Sequence, residues 1–224
     1  MTQDEQTNLD NRLRDAAADG HTETVRALLA AGADVHAHED MALLNAASCG
    51  HTKTVEVLLA HGADVHRDEY VLCVAASNGH TETVKALLAA GANVDAMDDL
   101  ALCVAARYGH TDTVKVLLSA SADVHAENDY ALRWAAYWAD AKTVRFLARH
   151  IFAPESWRGK SRAEIEEHAS ALYDKLKAGN PPPDRLHKVG TILADCAIDC
   201  WHQVRPPPPP GFKISPLPAQ PRPV

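Results

Sequence analysis

Leu43, Ala46 and Ala47 stand at i, i+3 and i+4, and the same set returns as Leu72, Ala75, Ala76 and as Leu102, Ala105, Ala106. That is the stripe of a helix with one buried face. A second stripe, Val25, Leu28 and Leu29, returns as Val55, Leu58, Leu59 and as Val84, Leu87, Leu88, and it closes on Gly32, Gly62 or Gly91. Glycine after an apolar stripe predicts a left-handed helix stop. A Gly-His pair between the stripes predicts a tight turn, so each unit reads as two short helices. The alanines let them approach closely.

The unit is periodic. GHTETV at Gly20 returns as GHTKTV at Gly50, GHTETV at Gly79 and GHTDTV at Gly109, in steps of 30, 29 and 30, and a degraded ADAKTV follows from Ala139. Before each copy stands a second word (LLNAASCGH, LCVAASNGH, LCVAARYGH, LRWAAYWAD), and after it a third (AAGADVHA, AHGADVHR, AAGANVDA, SASADVHA). Residues 10–150 therefore form five tandem units behind a lead-in of residues 1–9. No single unit can bury its own stripes, so the units must stack into one extended core. Five exceed the roughly three that such stacks need. Arg12, Arg14 and Asp15, where other copies are mostly apolar or small, suit a solvent-facing end cap.

These words, A-A-x-x-G-H, then a V-x-x-L-L helix, then G-A-D-V, resemble ankyrin repeats over about 140 of the 224 residues. The resemblance implies an all-α solenoid of stacked helix-turn-helix units. The family's T-P-L-H word is here Met41-Ala42-Leu43-Leu44, Tyr70-Val71-Leu72-Cys73, Leu100-Ala101-Leu102-Cys103 and Tyr130-Ala131-Leu132-Arg133, so only its leucine survives. The units are also shorter than the family's, which implies that its projecting β-hairpin is trimmed to a turn. Such short units look like those of large DNA viruses and some bacteria. As a family, ankyrin arrays bind proteins and are not enzymes.

The net charge of −8 divides unevenly, because residues 1–150 hold 12 Lys and Arg against 22 Asp and Glu, and residues 151–224 hold 10 against 8. The negative field belongs to the repeats, which excludes a general nucleic-acid binder and favours a protein partner with a basic surface. Apolar residues at 46% and charged ones at 23% exclude wholesale disorder. No apolar run approaches the ~20 residues of a membrane span. An odd set of five scattered cysteines and a polar N-terminus without a signal pattern lead us to expect a cytoplasmic, reducing location.

In the family, partners lie against the inter-repeat loops and the exposed end of the first helix. Here the loops carry Glu39 and Asp40, Asp68 and Glu69, Asp98 and Asp99, then Glu127 and Asp129, an acidic ladder stepped by about 10 Å per layer. Carboxylates also favour helix starts for their own sake, which alone accounts for such acids. The pairs before each Gly-His turn aromatic along the array and end in Arg107 and Tyr108, then Tyr137 and Trp138, with Arg133 and Trp134 nearby. Arginine and aromatic residues dominate binding hot spots. The opposing reading packs Trp134 and Trp138 under the C-terminal segment.

Cofactor and metal chemistry find no support. His21, His51, His80 and His110 recur at equivalent positions, as do His36, His66 and His125, and equivalent positions lie about 10 Å apart, too far to share a zinc ion bound at about 2.0–2.3 Å. Cys196 and Cys200 share a helical face, but two thiols do not complete a site. No nucleophile elbow, phosphate loop, dinucleotide fingerprint or His-Glu-x-x-His word occurs.

Beyond the repeats, Ser161-Arg162-Ala163-Glu164 reads as a capping box opening a helix to about Lys177. Leu186, Val189, Leu193, Cys196, Ala197, Cys200 and Val204 predict another from about Asp184, so residues 151–205 form a helical cap on the array. Residues 206–224 hold nine prolines and read as an extended tail, a flexible appendage or a docking ligand. Thr191-Ile192, Cys196, Ile214 and Pro216-Leu217-Pro218 faintly resemble a SOCS box, which would imply a ubiquitin-ligase adaptor. The expectation is a protein-binding scaffold or accessory subunit, with a structural subunit anchored by its C-terminal segment as the alternative.

Overall fold

A computed structural model describes residues 2–138, 141–179 and 181–204 and is all-helical there, without a strand. The helices are α1 (Gln3–Ala18), α2 (Thr22–Ala30), α3 (Ala37–Ser48), α4 (Thr52–Ala60), α5 (Tyr70–Ser77), α6 (Thr81–Ala89), α7 (Ala96–Arg107), α8 (Thr111–Ser119), α9 (Ala126–Trp138), α10 (Ala141–Ile151), α11 (Arg162–Ala178) and α12 (Pro183–Val204). Odd-numbered α1 to α9 pack in one row and even-numbered α2 to α10 in another. The row leucines recur at the sequence period: Leu13, Leu43, Leu72, Leu102 and Leu132 in the first, Leu28, Leu58, Leu87, Leu117 and Leu147 in the second, all buried.

α1 begins earlier than the unit boundary. The expected lead-in, residues 1–9, is helical from Gln3 because Thr2 accepts from the Glu5 amide while Glu5 accepts from the Thr2 amide. A capping box satisfies two amides that an open helix end leaves without partners.

Two inter-repeat devices explain the Gly-His-Thr-x-Thr word. Nε2 of His51, His80 and His110 donates to the carbonyls of Ala18, Ser48 and Ser77 in the preceding repeat, at 3.0, 3.0 and 2.9 Å. Each ring lies flat on the glycine of the repeat before it. A Cβ on Gly79, where φ is +72°, would sit 2.5 Å from Nδ1 of His110. Beside this staple runs a hydroxyl ladder in which Thr22, Thr52, Thr81 and Thr111 meet Thr54, Thr83, Thr113 and Thr143 of the next repeat, at 2.8–2.9 Å. The second threonine of each pair is fully buried. Buried hydroxyls that satisfy one another avoid a desolvation penalty.

α11 packs on α9 and α12 on α10, so the C-terminal pair continues both rows as a further layer. The Ser161 and Glu164 capping box closes in both directions and, with Lys160, pulls the Glu164 carboxyl down to about 2. Ile192, Cys196 and Cys200 are buried in this layer, which leaves them no face for a recruiting partner. The SOCS-like Ile214 and Pro216–Pro218 and the tail 206–224 lie outside the described residues, as do Ala139 and Asp140.

Candidate partner-binding surface

The inter-repeat loops are built from the inside outward. Asp34, Asp64 and Asp123 accept the amides of His36, His66 and His125 two residues on, at 2.8–2.9 Å, closing an Asx turn after each helix-stop position. The first turns of α3, α7 and α9 are broken by three consecutive left-handed residues that belong to the loops: His38-Glu39-Asp40, Met97-Asp98-Asp99 and Glu127-Asn128-Asp129. Side chains in that conformation cost about 1–2 kcal/mol each. The loop reaching Tyr70 is one residue shorter, matching the 29-residue step, and holds no non-glycine residue at positive φ.

The last residue of each left-handed run turns inward, and the expected ladder is corrected accordingly. Asp40, Asp99 and Asp129 are only 2–5% exposed. Asp40 accepts from the Asp64 amide, the His36 ring and Arg67, while Asp99 accepts, among the described residues, from the Asp123 amide alone. Asp129 is held by His125 Nδ1 at 2.8 Å and by Lys175 of α11 at 3.0 Å. These carboxylates lock the loops and are not free for a partner. Of the expected ladder, Glu39, Glu69, Asp98 and Glu127 remain exposed and Asp68 half-buried, so one member of each pair stays at the surface in three loops and both do in the short one.

One position thus carries opposite electrostatics. Burial raises the Asp99 pKa above its ordinary 3.8, reinforced by Asp95, Asp123 and Asp98. Burial pushes Asp129 the same way, but the bonds from His125 and Lys175 outweigh it and its pKa falls. The repulsion at Asp99 is absent below pH ~3.8 and complete above its raised folded value. The support at Asp129 is present above pH ~3.8 and lost as the pH falls through its lowered value. At pH 7, Asp99→Asn should therefore stabilise by about 0.5–1 kcal/mol, helped by the tolerance of asparagine for left-handed backbone. Asp129→Asn should destabilise by about 1–2 kcal/mol. Urea titrations at pH 7 and pH 3.5 test both; equal signs for the two variants would refute the assignment.

At the C-terminal end the first-helix tips gather a different chemistry. The Arg107 guanidinium lies 4.1 Å from the Trp134 ring centre and 5.3 Å from those of Tyr108 and Trp138. Arg133 lies 5.6 Å over Tyr130, which packs edge-on to Trp134. Arg133, Trp134, Tyr137 and Trp138 line a groove of about 350 Å³ whose far wall is Leu176, Gly179 and Pro181. Tyr108 and Trp138 are 56% and 55% exposed. The C-terminal layer leaves Trp138 open and engages its neighbour, since Arg185 donates to the Tyr137 carbonyl at 2.7 Å. Trp134 is half-buried beneath Arg107 and Tyr130. Tyr130, Leu176 and Pro181 entered no sequence expectation of a site.

Three buried thiols are held in their neutral form. Burial raises Cys73 to about 11, Cys103 to about 12 and Cys196 to about 11, so these thiols stay protonated at neutral pH. Among the described residues no three His, Cys, Asp or Glu side chains converge on a point that suits a metal ion. None of their helices is long and apolar enough to cross a membrane.

Stacked helix pairs joined by locked turns, with side chains displayed along one row of helix tips, define a helical repeat solenoid with one open face. The chain belongs to the ankyrin-repeat family: a model of ankyrin repeats (three copies) matches residues 13–98 and again residues 72–156. Ankyrin repeats are in general protein–protein interaction modules, and the family is typically non-enzymatic. No curated protein matches the chain.

Proposed function

We propose that the protein is a non-enzymatic adaptor or accessory subunit that grips a protein partner along the exposed acidic edge and in the aromatic groove at its C-terminal end. The observation that carries this reading is the pair Tyr108 and Trp138, more than half exposed and ranged around Arg107. Large aromatic surface left in water has no folding rationale, whereas buried in an interface it supplies the anchors on which affinity depends. Glu39, Asp68, Glu69, Asp98 and Glu127 add a field that accelerates encounter with a basic surface. A reducing, cytoplasmic location belongs to the same proposal and is supported by five free cysteines.

The test is capture of the native partner by the full chain, repeated with Tyr108→Ala and Trp138→Ala after their folds are verified. Each substitution should weaken binding by about 2 kcal/mol, roughly 30-fold. Retention should also fall as salt rises, because exposed charges are screened within about 10 Å at 0.1 M. Binding that ignored both aromatic substitutions would leave the alternative, in which the C-terminal layer and tail anchor a structural subunit.

A further inference from the structure

We infer that the groove, with Arg133 in its lining and Arg107 beside it over Trp134 and Trp138, takes an acidic segment of the partner, a carboxylate set beside an aromatic or other apolar side chain. This rests on the groove being the partner's seat, and it assigns the groove a charge preference opposite to that of the loop edge. Among the described residues neither arginine has a carboxylate within ion-pair distance, in a chain of net charge −8. Arg107 is instead held by rings, with Trp134 closest at 4.1 Å. Among the described residues neither guanidinium makes a hydrogen bond, so the N–H donors that can pair a carboxylate through two hydrogen bonds are unspent. Both arginines are half-buried against Trp134 and its neighbours, and such low-dielectric walls strengthen their field toward an arriving anion.

Charge selects among occupants. The chain's own proline-rich residues 206–224 carry Lys213 and Arg222 and no acid, so like charge opposes their docking here. A polyanion such as nucleic acid would be repelled by Asp98 and Glu127, in the loops at the opposite ends of the same two helices. A protein segment that offers one or two carboxylates among apolar residues meets neither objection, and Leu176, Pro181 and Trp138 supply apolar walls for it.

A random dodecapeptide library displayed on phage and panned against the full chain tests the assignment, with the double variant Arg107→Glu/Arg133→Glu as counter-target. Enriched peptides should carry Asp or Glu close to an aromatic residue, proline or leucine. In anisotropy titrations a labelled enriched peptide should bind the double variant at least ~10-fold more weakly than the native chain. A peptide with its acids changed to lysine should lose the native chain and regain the double variant. Circular dichroism verifies that variant's fold, and Arg107→Gln with Arg133→Gln gives the same readout should it fail. The inference is overturned by enrichment of basic peptides, by no preference over the counter-target, or by a thymidine oligonucleotide that binds as tightly as the peptide. Loss of binding in Trp138→Ala without loss in the charge variants would sink the acidic preference alone; indifference to all of them would sink the groove reading as well.

Discussion

Gly79→Ala should unfold at a clearly lower urea concentration than Gly62→Ala, although both glycines have positive φ, +72° and +97°. At Gly62 nothing lies within 4 Å of the new Cβ, so the cost is that of a side chain in left-handed backbone, about 1 kcal/mol. The equivalent helix end in the fourth repeat already holds Ser121 at φ +73°, which sets a natural precedent for a side chain there. At Gly79 the Cβ would press on the His110 ring, 2.5 Å from Nδ1. The ring is then displaced from the Ser77 carbonyl, and a polar pair between repeats goes unmet at a further ~1–3 kcal/mol. The total is about 3 kcal/mol, a large fraction of the ~5–15 kcal/mol that holds a typical domain. A double-mutant cycle isolates the cause: Gly79→Ala with His110→Ala should cost at least ~1 kcal/mol less than the two single changes summed. Strict additivity would show that the ring and the glycine are not in contact.

Leu102→Ala should destabilise the array strongly, because Leu102 is 1% exposed in α7 and α7 packs on both α5 and α9. Truncating a fully buried leucine costs about 2–5 kcal/mol, rising with the cavity left behind. Here it weakens a layer shared by two neighbours, so the whole array should melt earlier in one transition. Leu13 is equally buried, at 1%, but α1 has a repeat on one side only. In a one-dimensional stack an end layer can open without the rest. Leu13→Ala should therefore raise amide exchange in α1 and α2 while leaving α7 to α12 protected. Uniform loss of protection in both variants would argue against repeat-wise stability.

The aromatic end and the acidic edge were visible as residues before they were visible as a surface. Arg107, Tyr108, Trp134 and Trp138 were nameable because equivalent positions in a repeat share one face. The Arg107 stack on Trp134 was not, since it depends on how far one helix tip reaches across to the next. The acids show the limit of position-by-position reading most directly. Glu39 and Asp40 are adjacent and alike in sequence, yet one is exposed and the other 2% exposed and bonded to three groups. Three successive left-handed residues make that division, and no pattern of charge predicts them. Asp68 and Glu69 escape it because their loop is one residue shorter.

What the sequence by itself determined is what recurs: two helices per unit, their buried stripes, the glycine stops and the all-helical stack. A repeat writes the same local signal five times, and stripes that cannot be buried alone specify their own neighbours. The tertiary structure alone decided what happens between copies: the histidine staple across repeats, the threonine ladder, the inward aspartates and the arginine held among rings. Each depends on the register of one unit against the next, a distance of a few ångströms that spacing along the chain does not encode.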